Sequence, residues 1–147
     1  MGILQPELSV ERVPNRPGER CLVVSYELDI AQDDPAIGHV VREEVVVEPR
    51  DEHDAPVRPQ PVAFRFVDEV TVTEPGTIDR RLEKEVHRVD LDVEQDWWDT
   101  DMAGGTEPIA EFADHLDATL TLRVGGIEIA RRMTPVVTGS WGALGTD

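Results

Sequence analysis

A chain of 147 residues suffices for one domain with one core, burying roughly two thirds of its unfolded surface. Its 31 acidic residues against 14 basic ones give a formal charge of -17, so nucleic acid and anionic membranes are repelled and excluded as partners. A hydrophobic fraction of 39%, with Val recurring at alternate positions, excludes disorder and favours sheet over helix.

Residues 3 to 12 read as a first strand, with Leu8 and Val10 facing one way and Glu7, Ser9 and Glu11 the other. Pro6 interrupts it early, which an edge strand tolerates. Pro14, Asn15, Pro17 and Gly18 make a turn, after which residues 20 to 30 alternate: Leu22, Val24, Tyr26, Leu28 and Ile30 inward, Ser25, Glu27 and Asp29 outward. Asp33, Asp34, Pro35 and Gly38 close that strand, and His39 to Glu48 gives a third with Val41, Val45 and Val47 on its inner face. The polar, proline-rich run from Pro49 to Pro61 reads as a loop. Alternation resumes at Val62, Phe64 and Phe66 and again at Val70 and Val72, giving one long bent strand or two short ones that end at Pro75-Gly76.

Residues 77 to 93 fit two patterns. Ile78, Leu82, Val86, Val89 and Val93 have helical spacing, whereas Val89, Leu91 and Val93 alternate. Arg80 and Lys84 place like charges at i, i+4, which disfavours the helix, so the expectation is a helical or irregular turn over 77 to 82 and a strand over 84 to 93. Asp96, Asp99 and Asp101, followed by Gly104 and Gly105, predict an acidic loop holding Trp97 and Trp98. Thr106 can cap a helix with Pro108 in its first turn, and Ile109, Phe112, Ala113 and Leu116 fall at i, i+3, i+4, i+7. This short helix and the two Trp would plug one open end between sheets.

The period then changes: Leu116, Ala118, Leu120, Leu122 and Val124 alternate with Asp117, Thr119, Thr121 and Arg123, the clearest strand in the chain. Gly125-Gly126 is a two-residue hairpin turn into a strand from Ile127 to Met133. Pro135 to Thr138 is a short last strand, and 139 to 147 a loose tail. Seven to eight short strands at about ten-residue spacing, with one short helix, predict an all-β fold: a single antiparallel β-sandwich domain of Ig-like or C2-like layout. That layout is a likeness of architecture and carries no function.

The charge admits two origins. An acidic, Val- and Thr-rich chain whose only lysine is Lys84 resembles proteins of salt-in halophiles; a GC-rich mesophile gives a similar Arg-over-Lys bias with less acid. Cys21 is alone, so neither an internal disulfide nor a cysteine metal cluster forms. The start lacks a basic and apolar leader and no run is long enough to span a bilayer, so the expectation is cytoplasmic synthesis without a signal peptide.

Hard carboxylate oxygens make calcium the cofactor that Asp96, Asp99, Asp101 and Glu107 would take, with Asp33, Asp34, Asp51 or Asp54 as further donors from other loops. The spacing Asp99-x-Asp101-x-x-Gly104 copies part of an EF-hand loop, but Ala103 and Ala110 occupy ligand positions, so these side chains also fit a plain solvated surface. His39, His53, His87 and His115 show no zinc spacing, and Glu52-His53-Asp54 sits in the polar loop. Thr138-Gly139-Ser140-Trp141-Gly142 lacks the first glycine of a nucleophile elbow, and Cys21 fits a small packed residue better than a nucleophile. Trp97-Trp98 could stack a sugar ring, although a buried Trp is the commoner use.

No catalytic residue set and no cofactor loop emerges. The reading that remains is a non-enzymatic structural or assembly module acting through protein contact, with a protein partner or a homo-oligomer, using edge strands at 3 to 12 and 134 to 138. A virion or tail component of a halophile virus is its concrete form. The alternative is a calcium- or carbohydrate-binding module using the loop from Asp96 to Glu107.

Overall fold

The computed structural model describes residues 1–50, 64–91 and 114–139. These form eight strands in two antiparallel sheets packed face to face: β1 (Gly2–Val13), β2 (Arg16–Ile30), β3 (Val40–Arg50), β4 (Phe64–Thr71), β5 (Gly76–His87), β6 (Asp114–Val124), β7 (Ile127–Met133) and β8 (Val137–Gly139). One sheet runs β1-β2-β5, the other β4-β3-β6-β7, with β8 pairing β6 beyond the end of β7. The expected β-sandwich is therefore the fold.

The core lies where the alternating rows meet. Leu22, Val24 and Leu28 of β2 face Leu116, Leu120 and Leu122 of β6, all without exposed surface. Each such leucine contributes about 1.5–3 kcal/mol on burial, so these central strands dominate the packing. Edge strands lie at the periphery, and the residue-20-to-30 and 116-to-124 patterns are seen as read.

In β1 the buried residues are Ile3, Pro6 and Leu8, which one unbroken alternation cannot place on one side. The register shifts between Leu4↔Glu27 and Glu7↔Ser25, so Gln5 and Pro6 together oppose Tyr26. This bulge, with Gln5 at φ 49°, switches the inward parity and seats Pro6 at the sheet edge. The β6–β7 turn is made by Gly125 and Gly126 at φ 58° and 83°, the double positive φ of a type I′ hairpin.

Several boundaries differ from expectation. The 77-to-93 region contains no helical turn at its start: β5 is continuous from Gly76 to His87, paired with β2 from Ile30↔Gly76 to Glu19↔His87. The expected strand over 84 to 93 instead gives way to a 3-10 turn at Arg88–Leu91, with Leu91 buried. Twelve residues of ladder outweigh the local helical spacing, because tertiary pairing overrides weak propensity. Within the expected 62-to-72 strand, the described residues Phe64–Thr71 form one strand, since Asp68 and Glu69 stay in register opposite Glu43 and Arg42. Pro49, expected in a loop, belongs to β3, where it pairs with Leu116 of β6, beyond the last pair with β4 among the described residues at Val47↔Phe64.

The expected short helix lies outside the described residues except at its end. There Asp114 to Leu116 are strand, Leu116 pairing with Pro49, so the strand begins two residues before the expected start and the helix does not reach Leu116. No α-helix occurs among the described residues. The last strand is Val137–Gly139 rather than Pro135 to Thr138.

Candidate interaction face

Asp96, Asp99, Asp101 and Glu107 lie outside the described residues, as do Trp97, Trp98, Ser140 and the Glu52-His53-Asp54 cluster. Among the described residues no three His, Cys, Asp or Glu are grouped to hold a metal ion. Asp34, a suggested auxiliary calcium donor, is buried: its Oδ1 accepts from the Ala36 N–H at 2.9 Å and its Oδ2 stands 2.7 Å from the Met1 amine. The bond from that amine, with the Ala36 N–H and against the effect of burial, holds the carboxyl below its usual range.

Cys21 is half-buried on the outer face of β2, opposite Glu11 and Glu85. Burial first, and then the charges of Glu83, Glu11 and Glu85, raise its pKa, so the thiol stays protonated and is a poor nucleophile. His115, half-buried on β6, pairs through Nδ1 with Thr138 Oγ1 at 3.1 Å. His39 and His87 are exposed.

The densest polar convergence is one that sequence reasoning missed. Glu43 of β3, fully buried between the two sheets, accepts from the Tyr26 hydroxyl at 2.5 Å and from Arg80 Nε at 2.9 Å on Oε2, and from Arg80 Nη2 at 2.5 Å on Oε1. Tyr26 and Arg80 are direct cross-strand neighbours on β2 and β5, so the carboxylate of one sheet is gripped by two groups of the other. Arg80 also reaches Asp68 Oδ2 at 3.5 Å and the Glu69 carbonyl at 3.4 Å. Burial chiefly, and then the Glu43 carboxylate, push the Tyr26 hydroxyl far above its ordinary pKa, and the bond to Glu43 raises Arg80 further against the cost of burial. Both Glu43 oxygens are engaged inside the core, so the trio is an inter-sheet clasp rather than a site open to substrate. Its sequence signal is a charge at an inward position: Glu43 between Val41 and Val45, Arg80 between Ile78 and Leu82.

Among the described residues, the outer face of the five-stranded sheet offers a grooved surface to a ligand or partner. Register places Arg42, Glu44, Val46 and Glu48 of β3 between Arg65 and Val67 of β4 and Thr119, Thr121 and Arg123 of β6. Arg131 and Met133 of β7 extend the face beside Thr121 and Thr119. All of these except Met133 line a shallow groove of about 510 Å³. Arg123 Nε donates to Glu44 Oε1 at 2.7 Å and Arg42 Nε stands 3.0 Å from Glu44 Oε2; chiefly the Arg123 bond keeps the Glu44 carboxyl below its ordinary range. Arg131 pairs with Glu128 at 2.7 Å, while Arg65 has no ion pair among the described residues.

The groove runs out to β7, whose one ladder partner among the described residues is β6. This edge strand exposes Ile127 at 70%, Ile129 at 38% and Met133 at 50% of their surface, in a chain that is otherwise heavily charged. Arg132 Nη1 of β7 donates to the Ile3 carbonyl of β1 at 2.8 Å, a hydrogen bond that ties this edge to the other sheet.

No protein-family model matches the chain, and no curated protein matches it. Among solved structures it is similar to a crystal structure described as that of a protein from Archaeoglobus fulgidus, at 13% identity and a TM-score of 0.48, covering 93% of this chain and 92% of that one.

Proposed function

We propose that the chain is a non-enzymatic structural or assembly module that works through protein contact, joining a protein partner or further copies of itself. The observation that supports this reading is β7, an edge strand among the described residues with Ile127, Ile129 and Met133 exposed and with neither Lys nor Pro along Ile127–Met133. Burying the three side chains against a partner would release apolar surface from water, the term that drives most association. A halophile particle, virion or tail, is a setting in which such a module would serve.

The test is sedimentation velocity of the full chain at high concentration in molar KCl, where surface charge is screened to about 3 Å. The parent should run as an oligomer or bind a partner purified from its native source, and Ile127→Lys with Ile129→Lys should return it to a monomer with little change in melting temperature. A parent that stays strictly monomeric both at physiological ionic strength and in molar KCl, and takes no such partner, overturns the proposal.

A further inference from the structure

The two outer faces of the sandwich differ in charge. On the three-stranded sheet the outward residues of β2 and β5 include Glu27 directly opposite Asp79, with Glu7 of β1 one pair further along. Like charges directly opposite on a sheet destabilise it, and none of these three carboxylates has an ion pair among the described residues. The cations of this face among the described residues are Arg81, shared between Glu11 at 3.0 Å and Glu83 at 2.6 Å, and, at its far end, Arg16, 3.0 Å from Glu85. On the five-stranded sheet the like pair has the opposite sign: Arg42 stands opposite Arg123, bridged by Glu44 alone, with Arg65 and Arg131 flanking. In a chain of charge -17 the lining of this groove holds four arginines, Arg42, Arg65, Arg123 and Arg131, against two carboxylates, Glu44 and Glu48, with Glu128 on Arg131 and Glu69 opposite Arg42 at its margin.

We infer that the arginine-lined groove of one copy receives the acidic outer face of the three-stranded sheet of a second copy, so that copies join head to tail. The inference rests on the protein-contact reading above and names its partner. Each face then supplies the counter-charge the other lacks, and complementarity of this kind sets register and orientation. The overall repulsion between copies is screened beyond about 8 Å at physiological ionic strength, whereas charges in contact are not. A groove on one face and its complement on the other make a heterologous contact, which propagates into open chains unless the rotation closes a ring. Strands of 12, 15 and 12 residues side by side present a flat face of roughly 500 Å², or about 1,000 Å² over both partners, at the lower bound for specific association. Association is therefore weak, reversible and lost in molar salt.

Sedimentation velocity over a dilution series at physiological ionic strength tests this, with two neutralising variants of the full chain: Arg65→Gln with Arg131→Gln, and Glu27→Gln with Asp79→Asn. The parent's average mass should rise with concentration, and each variant should weaken association about tenfold or more. An equimolar mixture of the two variants should recover association but stop at a dimer, because one sound groove and one sound acidic face remain per pair. The second should melt no lower than the parent, since it removes a repulsive pair; Arg65→Gln alone, which breaks no ion pair among the described residues, guards against any loss of fold in the first. A parent that does not associate, variants that associate like the parent, or a mixture that stays monomeric would each overturn the inference. Polyglutamate should compete with self-association; if it binds a parent that does not self-associate, the groove serves an acidic partner and the second copy is ruled out. Oligomers that persist in molar KCl and yield to the Ile127 and Ile129 substitutions, but not to the charge variants, would leave the protein-contact reading standing and remove this one.

Discussion

Glu43 shows how one side chain can bind two sheets together. A lone carboxylate between Val41 and Val45 would be too costly to bury ionised, so its place depends on Tyr26 and Arg80 arriving from the opposite sheet. Glu43→Ala strands the partly buried guanidinium and should cost about 3–5 kcal/mol in urea unfolding. Glu43→Leu combined with Arg80→Leu and Tyr26→Phe should recover most of that loss, because a hydrophobic replacement avoids desolvating two charges and leaves no buried hydroxyl unpaired. Tyr26→Phe should cost about 1.5–3 kcal/mol, the worth of a hydrogen bond to a charged group.

Tyr26 is also the chain's single tyrosine, which makes its titration readable by ultraviolet absorbance without interference from another. Its folded pKa is raised above the ordinary value of 10.0, so its contribution is fully present below pH 10.0 and lost as pH rises, when the unfolded chain releases the proton more readily. Phenolate absorbance should therefore appear together with loss of near-ultraviolet circular dichroism, in one alkaline transition. A phenolate signal near pH 10.0 in a chain that stays folded would show the hydroxyl free of Glu43.

Among the elements, β2 and β6 were legible because their inward rows are wholly apolar from Leu22 to Ile30 and from Leu116 to Val124. β5 was not: Arg80 and Lys84 sit at inward parity, so hydrophobic alternation is broken and Ile78, Leu82 and Val86 are left at a spacing that mimics a helix. The bulge in β1 was hidden for a related reason, since a two-residue period cannot show where an extra residue resets it. The β6–β7 hairpin was legible down to its turn type, as Gly-Gly is a residue pair that enters double positive φ without strain. Gly126→Ala should lower stability by about 1–2 kcal/mol through the φ of 83° alone, because no heavy atom lies within 4 Å of the added methyl. Thermal melts of this variant beside Gly2→Ala, where the space is equally open and φ ordinary, would separate backbone strain from any packing effect.

For the whole molecule, the net charge sets how stability responds to ions. Self-repulsion at -17 should make the fold gain stability from low salt to molar KCl, read as a higher melting temperature. Millimolar calcium at low salt should add no more than magnesium at equal ionic strength if the acid is surface adaptation. A calcium-specific rise that Asp99→Asn with Asp101→Asn abolishes would instead make the loop from Asp96 to Glu107 the binding site.

The chain's pattern of apolar alternation and turn residues determined by itself that this is an antiparallel sandwich and which strands carry the core, because a pleated strand with one dry face must repeat every second residue. It also determined the acidity of the surface. Only the tertiary structure decided which strands neighbour one another, that Glu43 and Arg80 point inward, and that arginines 23 to 89 positions apart in sequence share one groove, as Arg42, Arg65 and Arg131 do. The reason is that a charge belongs inside or outside according to the partner it meets, and such partners come from strands that sequence spacing alone does not bring together.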